Sequence, residues 1–177
     1  MGLYAKFAKR VIPKGINLAR LIKRNYFLGK KLDIIFDIDG TLFDISHRIH
    51  FVLSEPKNWK GFYDGMKSDK QIKEMCLLLI SCAKDTSNRI VFCTGRDENY
   101  RDVTLEQIKG IFKNISQPIN QIALYMRGKK DFRKDYEVKH DLYKKMLEDG
   151  YSPQIVFEDK ATVVEMWNSI GVRCLRV

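Results

Sequence analysis

Short apolar runs and longer amphipathic segments alternate along the chain from residue 32 to residue 177. An unbroken apolar run of about four to eight residues is typical of a buried strand, whereas apolar residues at every third or fourth position are typical of a helix. The strands predicted in this way are 32–36, 89–93, 122–125, 154–157 and 172–177. The predicted helices cover 72–79, 97–112, 135–150 and 163–167. Strands that alternate with helices predict an α/β fold with a parallel central sheet.

Residues 45–68 do not follow this alternation. They show no helical or strand periodicity, and we expect them to be irregular. The segment is rich in aromatic residues, including Trp59, Phe62 and Tyr63. We expect it to cover the functional site as a small cap, and its rings either stack on a base or form a small core of their own.

The net charge of +10 is concentrated at the N-terminus. Residues 1–31 contain nine Lys and Arg residues and no Asp or Glu, so the remaining domain, 32–177, is nearly neutral. We interpret residues 1–31 as a basic extension whose partner is anionic, either nucleic acid or a larger assembly. An organellar targeting peptide and a membrane-surface helix are alternatives, although no Ser or Thr precedes Thr41.

The overall composition is that of an ordinary globular domain, with 45% hydrophobic and 31% charged residues. No apolar run approaches the roughly 18 residues of a membrane span, and charges interrupt every apolar stretch near the N-terminus. We therefore expect a cytoplasmic protein, or a viral protein in the host cytoplasm. The four cysteines form no CxxC pair and are expected to be buried thiols in a reducing compartment.

The first candidate motif, Asp37-Ile38-Asp39-Gly40-Thr41, follows the first predicted strand. Two carboxylates at alternate positions leaving a strand point in the same direction. Such a pair suits phosphoryl transfer, in which one carboxylate attacks phosphorus and the other handles the leaving-group proton. The alternative is an ordinary acidic turn after a strand.

Three further candidate motifs follow later strands or begin a helix. Thr94-Gly95-Arg96 offers a hydroxyl, backbone N–H groups and a guanidinium for phosphate oxygens. Lys139 lies one turn into the predicted helix that Asp135 is expected to cap, and Glu158-Asp159 could complete a magnesium site. Each has an ordinary structural explanation, namely a turn, a surface lysine and a helix start.

The order of these four motifs resembles that of haloacid-dehalogenase (HAD) superfamily phosphatases, from about Leu32 to Val177. The resemblance implies an α/β, Rossmann-like three-layer sandwich around a central parallel sheet, with a small or minimal cap. It also implies Mg²⁺-dependent hydrolysis of a phosphate monoester through an aspartyl-phosphate.

A narrower resemblance is to the 3′-phosphatase domain of phage-type polynucleotide kinase-phosphatases. It is carried by 127–139, by 163–174 and by the stretch from His47-Arg48 to Phe51. Two features depart from that family. The acidic pair is Glu158-Asp159 rather than two aspartates, and no Gly-x-x-x-x-Gly-Lys-Ser/Thr loop of a kinase half occurs.

The resemblance assigns roles that agree with the chemistry of the residues. Asp37 is the expected nucleophile and Asp39 the expected general acid and base. The expected phosphate ligands are Thr94, Gly95 and Lys139. The expected magnesium ligands are Asp37, the backbone carbonyl of Asp39, Asp159 and, as a second-sphere or alternate ligand, Glu158.

Three further cations have two possible roles. Arg96, Arg127 and Arg133 either bind a substrate that is more negative than one phosphate or form ion pairs with Asp97, Asp131 or Asp135.

The leading functional hypothesis is a 3′-phosphatase acting on nucleic-acid ends. A phosphatase of small nucleotides belongs to the same reaction class. A third hypothesis is a non-catalytic subunit of HAD fold that binds nucleic acid or a large assembly through residues 1–31.

Overall fold

The computed structural model of the chain describes residues 32–113 and 122–177. Strands and helices alternate through these residues, as the sequence predicts. The strands are β1 (Asp33–Phe36), β2 (Phe43–Asp44), β3 (Lys70–Gln71), β4 (Arg89–Asp97), β5 (Ala123–Arg127), β6 (Pro153–Glu158) and β7 (Arg173–Arg176). The helices are α1 (His50–Leu53), α2 (Trp59–Asp64), α3 (Lys73–Lys84), α4 (Arg101–Ile111), α5 (Asp135–Glu148) and α6 (Ala161–Ser169).

Five parallel strands form the central sheet in the order β5-β4-β1-β6-β7. In β1, Ile34 and Phe36 pack into the core on one face of the sheet, and Ile35 packs on the other. Both faces of the strand therefore need a covering layer, which explains its continuous apolar run. The Phe36 and Phe157 rings stack with their centroids 4.8 Å apart and join β1 to β6.

Helices cover both faces of this sheet. The core on one face includes Met75 and Leu79 of α3 and Ile108 of α4. The core on the opposite face includes Met146 of α5 and Trp167 of α6. The expected three-layer α/β sandwich is therefore confirmed.

The segment 45–68 is more regular than the sequence predicts. It contains α1, α2 and a 3₁₀ helix at Gly65–Ser68, and it lies between the antiparallel strands β2 and β3. The prediction of an irregular segment is wrong because helices of four and six residues are too short to show a periodicity. Local contacts hold them: the Asn58 side chain accepts a hydrogen bond from the Gly61 N–H at 2.8 Å.

Several element boundaries also differ from the prediction, and two of these differences, together with the later start of α4 at Arg101 rather than Asp97, concern the candidate site. Strand β4 continues beyond Cys93 to Asp97, and its pairing with β5 shifts register between Thr94 and Asp97. The Thr-Gly-Arg motif therefore lies inside the end of the strand rather than after it. Asp135 is the first residue of α5 and not its cap, since the preceding Lys134 N–H donates to the Glu137 carboxylate at 2.9 Å.

The four cysteines are buried and free, as predicted. In the described ranges, no helix has both the length and the apolarity to cross a membrane. The predicted basic extension, residues 1–31, lies outside the described residues.

Candidate active site

The four motifs meet at the carboxyl-terminal edge of the parallel sheet, where open α/β sheets bind ligands. Asp37 directly follows β1, Thr94 belongs to β4, Glu158 ends β6, and Lys139 lies in the first turns of α5. All four residues are buried, and all line one cleft of about 930 Å³. We call these four residues the floor of the cleft.

Lys139 lies between two carboxylates on the floor. Its Nζ donates to Asp37 Oδ1 at 2.6 Å and to Glu158 Oε2 at 2.7 Å. Burial lowers the pKa of Lys139, but the two carboxylates outweigh it and raise that pKa well above its usual value. Burial and the Glu158 carboxylate raise the pKa of Asp37 to about 8, against the opposing effect of Lys139.

Asp37, Glu158 and Asp159 form a carboxylate cluster, with one oxygen of each lying within 4.8 Å of the others. Lys139 is the cation that contacts two of these carboxylates, so the cluster keeps an excess of negative charge in a buried place. Such an excess is costly unless a proton or a cation compensates it. Oxygen ligands of this kind suit a hard divalent cation, so the residues present fit a magnesium ion.

Gly40 brings the first motif close to the carboxylate cluster. Its φ is +80°, a left-handed conformation that favours glycine, and a Cβ at this position would lie 2.6 Å from Asp159 Cγ. The glycine of the Asp-x-Asp-Gly motif is therefore needed both for the turn and for the approach of Asp159.

Asp39 lies apart from this cluster and faces two arginines. Its Oδ1 accepts from Arg48 Nη2 at 2.7 Å and from Arg96 Nη2 at 2.6 Å. Burial raises the pKa of Asp39, but the Arg96 and Arg48 guanidiniums outweigh it and lower the pKa below its usual value. In the absence of substrate, these arginines therefore favour the carboxylate form of Asp39, while the expected backbone contact to magnesium stays a prediction.

A second buried carboxylate, Asp69, binds the same two arginines. Its oxygens accept from Arg48 Nε at 2.6 Å, from Arg48 Nη2 at 2.7 Å and from Arg96 Nη2 at 3.2 Å. The Arg48, Arg96 and Asp69 side chains are fully buried. Arg48, which lies in the segment 45–68, and Asp69, which follows it, thus connect this segment to Asp39.

Sequence reasoning gave no role to Arg48 or Asp69. The resemblance included Arg48 in the stretch from His47 to Phe51, which was a usable signal. Asp69 carried no signal, because a single acid before a short strand is common and only the folded chain brings it against the arginines.

Arg96 was expected either to bind substrate or to pair with Asp97, and the structure pairs it with Asp39 and Asp69 instead. Its Nη1 also donates to Gln107 Oε1 at 2.5 Å. The Arg96 guanidinium thus donates hydrogen bonds to several protein groups, and its predicted contact with substrate stays a prediction.

Arg127 and Arg133 form the ion pairs that were the alternative to substrate binding. Arg127 pairs with Asp135, and its Nε donates to the Gly95 carbonyl at 2.8 Å. Arg133 pairs with Asp131 and with Asp141, each at 2.7 Å. Direct contact of either arginine with substrate remains untested.

Thr94 and Gly95 face the cleft. Thr94 Oγ1 accepts from the Arg96 N–H at 3.2 Å, which leaves its own hydrogen available to a ligand. At Gly95, a Cβ would lie 2.5 Å from Asp135 Oδ1, so glycine lets the helix α5 approach β4. Their predicted role as phosphate ligands agrees with this placement and stays a prediction.

The aromatic residues of the segment 45–68 divide into two groups. Phe62 is buried, with the Arg48 guanidinium 4.2 Å from its ring centroid, so it belongs to a small core. Trp59 is 46% exposed and lines the cleft. Tyr63 lines the cleft as well, and its ring stacks on that of Tyr100 with the centroids 4.1 Å apart.

Comparison with known protein families gives a match over the whole described domain. The family of the polynucleotide kinase PNKP phosphatase domain matches residues 32–177, which include every motif residue of the cleft.

One curated protein and two solved structures are also similar to this chain. A putative bifunctional polynucleotide kinase/RNA ligase of Autographa californica nuclear polyhedrosis virus is 29% identical over 143 residues, which are 78% of this chain and 18% of the viral protein. The solved structures of a Pnkp1/Rnl/Hen1 complex and of the Pnkp1/Rnl/Hen1 RNA repair complex each contain a chain that superposes with a TM-score of 0.63. The two matched chains are 22% and 23% identical to this one. Each match covers 84% of this chain, and it covers 45% of the first matched chain and 42% of the second. The chain therefore spans less than half the length of these relatives.

Proposed function

Since the chain belongs to the polynucleotide kinase PNKP phosphatase-domain family, we propose that it removes 3′-phosphates from nucleic-acid ends through an aspartyl-phosphate at Asp37. The observation that carries this proposal is the buried pair of Asp37 and Lys139 at the floor of an open cleft. The Lys139 ammonium orients the Asp37 carboxylate, and both side chains line the cleft.

In the first step, an Asp37 carboxylate oxygen attacks phosphorus and the bond from phosphorus to the 3′-oxygen breaks. Lys139 holds Asp37 Oδ1 at 2.6 Å, which fixes the direction of the carboxylate. The same ammonium compensates charge on the transferred phosphoryl group, together with the Thr94 hydroxyl. Asp39 donates the proton that the leaving oxygen takes up.

In the second step, water attacks the phosphoryl group on Asp37 and gives its proton to Asp39. The bond from phosphorus to Asp37 breaks, inorganic phosphate leaves, and Asp39 is protonated for the next cycle. Arg48 and Arg96 stabilise the Asp39 carboxylate that exists between the two steps. Their pull is opposed by the negative charge of the bound phosphate, which favours the protonated form.

The carboxylates of Asp37, Asp159 and Glu158 are the residues that would hold magnesium. A bound divalent cation neutralises charge, so that an anionic carboxylate can approach an anionic phosphate. Both Glu158 oxygens already accept hydrogen bonds, Oε2 from Lys139 Nζ at 2.7 Å and Oε1 from the Lys160 N–H at 3.3 Å, whereas Lys139 bonds Asp37 through Oδ1. We therefore assign Glu158 the secondary place and Asp37 and Asp159 the direct contacts.

The test compares phosphate release from matched oligonucleotides that carry a 3′-phosphate or a 5′-phosphate, with a 3′-mononucleotide as the third substrate. We expect at least a tenfold preference for the 3′-phosphorylated oligonucleotide. Equal or reversed rates on the two oligonucleotides would reject a 3′-end phosphatase. A higher rate on the mononucleotide would favour a phosphatase of small nucleotides.

A further inference from the structure

The loop between β5 and α5 presents a phenylalanine to solvent beside the cleft. Phe132 is 87% exposed, the highest exposure of any large apolar residue in the described ranges, and it lines the cleft. A ring so exposed contributes nothing to the core, and its exposure to water is unfavourable. Because this exposed ring lines the cleft, it is available to a ligand that binds there.

Phe132 is held in place by its neighbours. Arg127 Nη1 donates to the carbonyls on either side of it, to Asp131 at 3.1 Å and to Arg133 at 2.7 Å. The same arginine donates to the Gly95 carbonyl of the phosphatase motif. The loop that carries Phe132 is thus fastened to the site, and the ring has a defined place relative to it.

The segment 45–68 adds a second exposed ring to the lining of the cleft. Trp59 is 46% exposed and stands between Lys57 and Lys60 in the sequence, and all three line the cleft. Trp59 also stacks on Tyr63 with their centroids 6.2 Å apart. Two exposed rings from different segments of the chain thus line the cleft that contains the floor.

The lysines around Phe132 indicate the charge of the partner. Within the described part of the chain, Lys129, Lys130 and Lys134 form no ion pair, whereas Arg127 and Arg133 do. The lysines beside Trp59, in contrast, pair with Glu55 and Asp64. An exposed ring beside unpaired lysines, as at Phe132, suits a single nucleic-acid strand, because bases stack on the ring and the lysines meet the phosphates. An acidic protein would offer the charge without the flat bases.

We propose that Phe132 and Trp59 stack on unpaired bases next to the 3′-phosphate, so that the preferred substrate is a single-stranded or frayed nucleic-acid end. This inference rests on the proposed function and defines its substrate. It assigns Phe132 and Trp59 to substrate positioning and leaves the reacting atoms to the floor.

Tryptophan fluorescence reports this contact directly. The chain has two tryptophans, and Trp167 is fully buried. A 3′-hydroxyl single-stranded oligonucleotide, which cannot be hydrolysed, should therefore quench the emission of Trp59. The quenching should disappear in Trp59→Phe, and a duplex with a blunt end should quench less.

Steady-state kinetics of substituted chains provide a second test of this contact. In Phe132→Ala and in Trp59→Ala, the ratio of kcat/KM on a 3′-phosphorylated single strand to kcat/KM on p-nitrophenyl phosphate should fall about tenfold, the effect of losing one stacked base. Phe132→Trp and Trp59→Phe keep a flat ring and should restore most of the ratio. Leu77→Ala is the matched control, since Leu77 is 53% exposed and does not line the cleft.

The outcomes separate this inference from the proposed function. If the wild type releases no phosphate from either ester, the proposed function fails. If the wild type is active but the ratio is unchanged in both alanine variants and no quenching occurs, the stacking inference alone fails, and a protein partner becomes the better explanation of the exposed rings.

Discussion

The floor of the cleft and its rim are built in opposite ways. On the floor, Asp37, Thr94, Lys139 and Glu158 are buried, and Lys139 joins Asp37 and Glu158 by short hydrogen bonds at the edge of the parallel sheet. On the rim, Phe132 and Trp59 are exposed and belong to a loop and a short helix.

The difference follows from what each region has to do. Groups that react must be fixed to within a fraction of an ångström, and a buried sheet edge provides that rigidity. Groups that select a flexible polymer must be accessible, so they lie on connections that evolution changes easily. We therefore propose that the chemistry belongs to the floor and the choice of substrate to the rim.

The largest expected effect is on the floor. Asp37→Asn should lower turnover about 10⁴-fold or more, because the amide is a poor nucleophile of nearly the same shape. Release of phosphate from a 3′-phosphorylated oligonucleotide measures it, with circular dichroism to verify the fold. Asp102→Asn, at an exposed carboxylate of α4, is the matched control and should keep its activity. Wild-type turnover in Asp37→Asn would contradict a covalent intermediate.

Removal of divalent cations should have the next largest effect. Excess chelator should reduce turnover on the order of 10³-fold, and Mg²⁺ should restore it. Ca²⁺ should fail to restore it, since its bonds to oxygen are longer, about 2.3–2.6 Å against about 2.0–2.1 Å. Full activity in chelator would show that the carboxylates of Asp37, Glu158 and Asp159 work without a metal ion.

The connection between the floor and the segment 45–68 is tested by Asp69→Asn. The substitution removes a negative charge that compensates the buried guanidiniums of Arg48 and Arg96. We therefore expect the free energy of unfolding to fall by about 3 kcal/mol. For a chain of this size, that corresponds to a fall in Tm of about 10 °C. Thermal unfolding measures the change.

The exposed ion pair between Lys60 and Asp64 provides a control in the same segment. Asp64→Asn should change the free energy of unfolding by less than about 0.5 kcal/mol, because an exposed pair contributes little. Equal effects of the two substitutions would show that burial of Asp69 does not determine the stability of this connection.

The smallest expected effect on turnover comes from residues 1–31, which contribute to binding. Deleting them should weaken binding of single strands at low salt. If about four of the nine basic residues contact phosphates, the log–log dependence on salt has a slope of roughly −3, and the deletion should flatten it.

The control for this deletion is turnover of p-nitrophenyl phosphate, which should hardly change, because all motif residues lie after Leu32. The same slope in both proteins would show that the basic extension does not bind nucleic acid. Loss of small-ester turnover would place residues 1–31 within the folded domain.

The sequence predicts most of the floor because its signals are local. Asp37 and Asp39 follow an apolar run, Thr94 follows another, and strands of a parallel sheet all end at the same edge. The order of the motifs along the chain also indicated the family. The buried thiols and the two layers of helices also followed from apolar runs that had to be covered on both faces.

Pairings between distant residues could not be predicted in this way. The pairing of Arg48 and Arg96 with Asp69 was not foreseen, and the choice between ion pair and substrate contact at Arg127 and Arg133 was left open. Which of Trp59 and Phe62 is exposed was also undetermined, because an aromatic-rich segment without periodicity does not show its inner side.

The sequence by itself determined the three-layer fold, the sheet edge where the motifs meet and the residues proposed as reacting groups, since strand periodicity and motif order are properties of the linear chain. The tertiary structure decided which charges compensate each other and which rings remain in contact with water. Those outcomes depend on distances between residues far apart in sequence, such as Asp39 and Arg96 or Asp37 and Lys139, and folding alone sets those distances.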